Sequence, residues 1–155
     1  ARIVSATPTW QAAKTVASFL PMGSEIDTQF IDTRAREAGK NVVYPRITGP
    51  GEMAFHHWEP GQPLTVTALG TSEPDADSLR CASADLDFVL VPLLACDDCG
   101  FRLGYGGGYY DRLLAQTSGF SCGVGYSFQR LSSLPREDHD RALQSFVSET
   151  GIERF

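Results

Sequence analysis

No apolar run in this chain approaches the roughly twenty residues that span a bilayer, and no signal-peptide pattern opens it. Basic runs are missing too. Lys and Arg number 13 against 19 Asp and Glu, and the net charge of −6 excludes a protein that wraps nucleic acid. It does not exclude a small phosphorylated ligand, which a few cations, a metal ion and backbone N–H groups hold on an acidic surface. Cysteine is scarce, at Cys81, Cys96, Cys99 and Cys122. Cys96-Asp-Asp-Cys99 has the spacing of a zinc knuckle or a redox pair. A structural zinc site needs a second pair, however, and Cys81 and Cys122 do not supply one. Reduced thiols at a loop edge are the expectation. Internal repeats, low-complexity tracts and linkers are absent, so the 155 residues read as one domain able to bury its own core.

What is present alternates. KTVASFL (14–20) reads as a short buried strand stopped by Pro21. IDTQFIDTRAREAG reads as a helix capped near Asp27 or Thr28 and stopped by Gly39, with Phe30, Ile31, Arg34, Ala35 and Ala38 on its mostly apolar face. NVVYP (41–45) and EMAFHHW (52–58) are strand candidates, and the stretch from Pro60 to Pro74 reads as irregular. His56, His57 and Glu59 imitate a metal site, but neighbours on a strand face opposite ways, so surface histidines are expected. LDFVLVP (86–92) has the continuous apolar character of a central strand covered on both faces. YYDRLLAQT reads as a helix with Tyr110, Leu113 and Leu114 on one face; SCGVGYSF and SFVSE read as strands. The fold class implied is α/β, with helices on both sides of a mostly parallel or mixed sheet.

The chemistry concentrates in RLGYGGGYYDR (102–112), which places four glycines between Gly104 and Gly108. It is not a Walker A loop, because no Gly-Lys-Ser/Thr follows, and Tyr109 occupies the third glycine position of a dinucleotide fingerprint. Two readings of the spacing stay open: a phosphate cradle ahead of a helix, or a tight turn with structural glycines. Arg102 and Arg112 flank the loop with planar donors suited to phosphate oxygens. Asp111 is placed to hold Mg²⁺ against those phosphates, or simply to favour the helix dipole.

DLDFVLVPLLACDDCGFRLGYGGGYYDR resembles the signature of the 5-formyltetrahydrofolate cyclo-ligase family. VASFLPMGSEIDT, GKNVVYPRI, MAFHHWEPGQPL and LPREDHDRALQSFVSETGIERF are similar to that family's other segments, in the same order along nearly the whole chain. The resemblance implies a three-layer α/β/α domain (NagB/RpiA/CoA-transferase-like) spanning 1–155. It implies an enzyme that uses ATP as co-substrate and Mg²⁺ to convert 5-formyltetrahydrofolate to 5,10-methenyltetrahydrofolate. The formyl oxygen takes the γ-phosphoryl group, the N10 nitrogen attacks, and phosphate leaves. It further implies a cytoplasmic monomer that binds small molecules and neither nucleic acid nor membrane.

By the same resemblance, Arg102, Leu103, Gly104, Tyr105, Gly106, Gly107, Gly108, Tyr109 and Tyr110 line the ATP phosphates. Leu20 and Glu25, with Tyr105 through Tyr109, contact the folate. Asp111 and Asp140 hold the metal, and Arg102, Tyr109 and Asp111 form the catalytic set. The family's N-terminal helix, whose Lys and Arg reach the phosphates, is expected to be lacking here. Cys96 stands where an aromatic is usual, Gln144 where many members have Asp, and Gly107 where some have Lys. Two rival readings are a homologue that binds folate or nucleotide without turnover, and a serine hydrolase using GFSCG (119–123) with Asp138 and His139. The hydrolase reading needs a strand before Ser121 and a helix after it, and the expected order is the reverse.

Overall fold

The computed structural model describes residues 1–67 and 70–155. Its strands are β1 (Thr15–Ala17), β2 (Asn41–Gly49), β3 (Glu52–His57), β4 (Leu64–Val66), β5 (Ser72–Pro74), β6 (Arg80–Cys81), β7 (Phe88–Pro92), β8 (Ala95–Cys96), β9 (Arg102–Leu103), β10 (Phe120–Val124), β11 (Ser145–Val147) and β12 (Ile152–Arg154). Its α-helices are α1 (Arg2–Ser5), α2 (Pro8–Ala12), α3 (Gln29–Glu37) and α4 (Tyr109–Leu114). Eight strands form one sheet in the order β12-β11-β10-β7-β1-β2-β3-β6. The run from β11 to β2 is parallel, and antiparallel strands close both edges.

The apolar run 86–92 becomes the central strand β7 because both faces of the sheet are covered. Phe88 and Leu90 pack into one layer with Trp10, Val16, Ile31 and Ala35. Val89 and Val91 pack into the other with Leu113 and Phe146. Each such buried side chain contributes about 1.5–3 kcal/mol. The crossover from β1 to β2 carries α3 over the first face, and that from β7 to β10 carries α4 over the second. The winding therefore reverses between β1 and β7. The loops leaving their carboxyl ends flank one crevice, where ligands of open α/β sheets bind. No helix among the described residues is long and apolar enough to cross a membrane.

Helix α3 starts at the Thr28 cap and ends where Gly39, at φ +71°, takes the left-handed turn. The Lys40 and Gly39 N–H groups return to the Ala35 and Arg36 carbonyls, completing a Schellman stop. Its buried face differs from the expected one. Phe30 is 74 % exposed, whereas Ile31, Asp32 and Ala35 are buried. Asp32 goes inside because hydroxyls await it. Ser18 Oγ donates to its Oδ1 at 2.6 Å and Tyr44 Oη to its Oδ2 at 2.8 Å. Thr28 Oγ1 lies 3.4 Å from Oδ2 and donates to the Phe19 carbonyl at 3.0 Å. This cluster ties both ends of the 18–28 loop to the sheet.

Three further differences have local causes. The 60–74 stretch, irregular in expectation, folds its flanks into the β4–β5 hairpin, and residues 68–69 lie outside the described residues. His56 is buried rather than on the surface, with Nδ1 2.9 Å from the Ser78 carbonyl. The amino-terminal helix α2, unmarked by hydrophobic period, rests on its cap, where Thr7 Oγ1 accepts the Trp10 N–H ahead of Pro8.

Burial raises the Asp32 carboxyl above its ordinary 3.8, against the lowering effect of its hydrogen bonds to Ser18 and Tyr44. A raised carboxyl binds its proton more tightly folded than unfolded. Its contribution is therefore complete below 3.8 and declines as pH rises through its folded value. Asp32→Ala, which strands the hydroxyls, should cost about 2–4 kcal/mol in denaturant unfolding. Asp32→Asn should compare less unfavourably with the parent at pH 8 than at pH 4.

Candidate active site

The glycine loop grows out of the β8–β9 hairpin, whose tip runs from Asp97 to Phe101. Asp97, wholly buried, organises it. Its Oδ1 accepts the N–H groups of Cys99 at 2.9 Å and Phe101 at 3.0 Å. Its Oδ2 accepts from Leu134 N at 3.2 Å and Arg136 Nη2 at 3.0 Å, and the Arg136 guanidinium lies over the Phe101 ring. Gly100, at φ +83°, closes the turn with no room for a Cβ against the Leu143 carbonyl. The sequence motif thus serves a carboxylate-centred turn. The sequence signal for Asp97 was Asp-Asp-Cys-Gly, a turn composition overshadowed by the cysteine spacing.

Beyond the hairpin, Gly106 at φ +85° and Gly108 at φ +61° carry the chain into α4 through conformations that L side chains resist. A Cβ added at Gly104 or Gly106 would meet nothing within 4 Å, so this side of the loop is an open cradle of bare backbone. Gly107 is covered by the Tyr109 ring. Helix α4 is only six residues long, so the dipole expected to assist phosphate is small. Arg112 turns back, donating to the Gly51 and Gly107 carbonyls, and pins the loop to the β2–β3 turn.

Arg102 faces Asp111, with Nη2 2.9 Å from Oδ1 and side chains 6 % and 18 % exposed. The same Oδ1 accepts the Arg141 N–H, and Arg102 Nη1 donates to the Arg141 carbonyl. The segment bearing Asp140 is thereby stitched to Asp111, although Asp140 itself caps the Glu137 N–H at 2.8 Å. Asp111 Oδ2 accepts no hydrogen bond among the described residues, which contain no cluster of three metal-ligating side chains. The donor set accordingly fits Mg²⁺, which takes one or two carboxylates and completes its shell with phosphate oxygens and water.

Glu25 arrives from the β1 side, its Oε2 accepting the Met22 N–H at 2.8 Å. Desolvation raises the Tyr105 hydroxyl, and the charge of the nearby Glu25 carboxylate raises it further. Burial also raises Tyr110, with Glu25 adding to the rise and Arg102 opposing it. The Tyr110 hydroxyl is buried with no hydrogen-bond partner among the described residues. Glu25, Tyr105, Tyr110, Arg102 and Asp111 thus meet at one crevice, with Leu20 packed below against the core. Leu103 is half exposed at the loop's entrance.

The serine-hydrolase reading does not survive. Ser121 lies within β10, 4 % exposed and hydrogen-bonded to Gln144, with no strand-to-helix turn after it. His139 is exposed beside Glu137.

Known proteins agree with this architecture. The sequence profile described as the 5-formyltetrahydrofolate cyclo-ligase family matches residues 1–149. A 5-formyltetrahydrofolate cyclo-ligase of Escherichia coli is 33% identical over 146 residues, covering 90% of this chain and 80% of its own. One from Haemophilus influenzae is 31% identical over 137 residues, covering 84% and 73%. The solution structure of 5,10-methenyltetrahydrofolate synthetase from Aquifex aeolicus superposes with a TM-score of 0.82 at 34% identity, covering 97% of this chain and 76% of that one.

Burial would raise the Asp97 carboxyl, but its backbone N–H donors and Arg136 prevail and hold it below its ordinary 3.8. A lowered carboxyl contributes stability above 3.8 that is lost as pH falls through its folded value. Asp97→Asn should unfold about 2 kcal/mol more easily at pH 7, and its stability should fall less steeply than the parent's below pH 4. Circular dichroism across pH checks both. The profile match and the relatives together establish that the chain belongs to the 5-formyltetrahydrofolate cyclo-ligase family, and that it is an enzyme of this class.

Proposed function

We propose that the protein converts 5-formyltetrahydrofolate to 5,10-methenyltetrahydrofolate with hydrolysis of ATP to ADP and phosphate. The observation that carries this reading is the open backbone at Gly104 and Gly106 beside the Arg102–Asp111 pair, with the β1 loop bringing the Glu25 carboxylate near enough to the glycine loop to act on Tyr105 and Tyr110. Ring closure needs a phosphoryl donor and a formyl acceptor side by side, and each of these loops serves one of them. An amide-like oxygen leaves poorly unless it departs as phosphate.

In this reading the bare backbone at Gly104 and Gly106 receives the ATP phosphates, and Arg102 answers their charge. Leu20 and Glu25 hold the reduced folate so that its formyl oxygen points at the γ-phosphorus. Transfer of the γ-phosphoryl group to that oxygen releases ADP and leaves an iminium carbon that carries the phosphate through its oxygen. Attack by N10 closes the ring, the C–O bond breaks with its electron pair on the departing phosphate, and the phosphate takes the proton that N10 gives up. Tyr109 presents its ring between nucleotide and folate, and the buried Tyr110 hydroxyl offers a donor at the same place. Asp111, with Asp140 in support, would hold Mg²⁺, which neutralises charge on the phosphates. Most of the acceleration then comes from positioning and charge stabilisation.

Purified protein given 5-formyltetrahydrofolate and MgATP should develop the near-ultraviolet absorbance of the methenyl product only when ATP is present. Asp111→Ala should slow that rise by at least about 100-fold. Gly104→Val should keep its unfolding free energy within about 0.5 kcal/mol while raising the KM for ATP about tenfold. Folate binding without any ATP-dependent rise would contradict the reading and favour a binding homologue.

A further inference from the structure

Both arginines that flank the glycine loop are engaged by acceptors of the protein itself. Arg112 gives its Nε and Nη2 donors to the Gly51 and Gly107 carbonyls. Arg102 gives Nη2 to Asp111 and Nη1 to the Arg141 carbonyl at 2.9 Å, and its side chain is almost fully buried. The two cases differ in charge. Arg112 holds neutral carbonyls, which fix the loop and leave its positive charge uncancelled. Arg102 holds a carboxylate, so the cation assigned to phosphate and the anion assigned to the metal cancel one another.

The pair is set from both ends. Arg102 is fixed on β9, whose backbone pairs with Cys96 of β8. Asp111 stands in the first turn of α4, and its Oδ1 accepts the Arg141 N–H at 3.0 Å beside the guanidinium. Oδ1 therefore carries two donors, while Oδ2 carries none among the described residues. An ion pair largely withdrawn from water resists opening, because separating the partners leaves each uncompensated.

The ligands of this site are thereby coupled. A nucleotide without metal meets a guanidinium already bonded to a carboxylate, and taking it leaves Asp111 bare beside the phosphates. A metal ion without nucleotide meets the positive charge of Arg102. The metal–nucleotide complex supplies both replacements at once, a cation for Asp111 and phosphate oxygens for Arg102, and charge stays balanced. We propose that the Arg102–Asp111 pair is a latch that favours joint entry of metal and nucleotide and opposes either alone. The inference rests on the reading of the glycine loop as the nucleotide site. It makes selection for the metal-bound nucleotide a property of one ion pair.

The test measures equilibrium binding, without folate, of ATP in excess chelator and of MgATP. The proteins are the parent, Asp111→Asn, Arg102→Gln and the double variant, with circular dichroism confirming each fold. The parent should favour MgATP over metal-free ATP by at least about tenfold. Asp111→Asn, which frees Arg102, should bind metal-free ATP about tenfold more tightly than the parent and lose the preference for MgATP. Asp111→Ser, smaller and still able to accept the Arg141 N–H, should repeat that gain. In the Arg102→Gln background, Asp111→Asn should give a much smaller gain, because no guanidinium is left to release. An undiminished gain there is the mark of simple repulsion between Asp111 and phosphate, and it overturns the latch. Absence of a gain in folded Asp111→Asn and Asp111→Ser overturns it too, leaving the nucleotide reading intact. Failure of the parent to bind MgATP overturns the nucleotide reading itself and this inference with it.

Discussion

The parallel pairing of β1 with β7, Val16 opposite Phe88 and Ala17 opposite Val89, is the constraint on which the site depends. Asp87 sets the register at the amino end, where its Oδ2 accepts the N–H groups of Lys14 at 2.8 Å and Thr15 at 2.9 Å. From this pair the chain winds away in opposite directions, through α3 on one face and α4 on the other. The two carboxyl-end loops consequently part above the sheet and leave a crevice between them. Glu25 comes from one bank and Tyr105, Arg102 and Asp111 from the other. Groups far apart in sequence come together because one pair of strands aims both loops.

Buried carboxylates then hold those loops from below. Asp32 binds the 18–28 loop to the sheet through hydroxyls, and Asp97 binds the hairpin under the glycine loop through N–H groups and Arg136. The difference in donors accounts for their opposite titration. Hydroxyl donors and the Arg36 charge, which makes no direct bond to Asp32, do not offset the cost of burial there, whereas three backbone N–H donors and a directly bonded guanidinium do so at Asp97. Arg102 and Asp111 form a third tie, in which the groups assigned to phosphate and metal neutralise one another. Rigidity below and bare glycine above are compatible because the glycines face open space.

Legibility in the sequence followed the range of the interactions. The central strand 88–92, the α3 stop at Gly39 and the glycine loop were readable because composition and local backbone geometry set them. Asp32 and Asp97 were not, since their partners lie up to 39 residues away and only the folded sheet assembles them. Phe30 misled because one exposed aromatic costs a helix little, and period counting cannot see a buried acid that has partners. The β4–β5 hairpin was hidden by the prolines and glycines around it. Arg112 carried a phosphate-facing expectation, and the Gly51 carbonyl, 61 residues away, claims it instead. The roles of Leu20, Glu25 and Asp140 came from family resemblance alone, and the fold supplies a shared crevice for Glu25 and the glycine loop.

The central claim is that the formyl oxygen leaves as phosphate. A single turnover with 5-formyltetrahydrofolate labelled with oxygen-18 in its formyl group, followed by mass analysis of the inorganic phosphate, tests it directly. The account predicts one labelled oxygen in each phosphate released per methenyl product. Label appearing in water, with phosphate unlabelled, would contradict it.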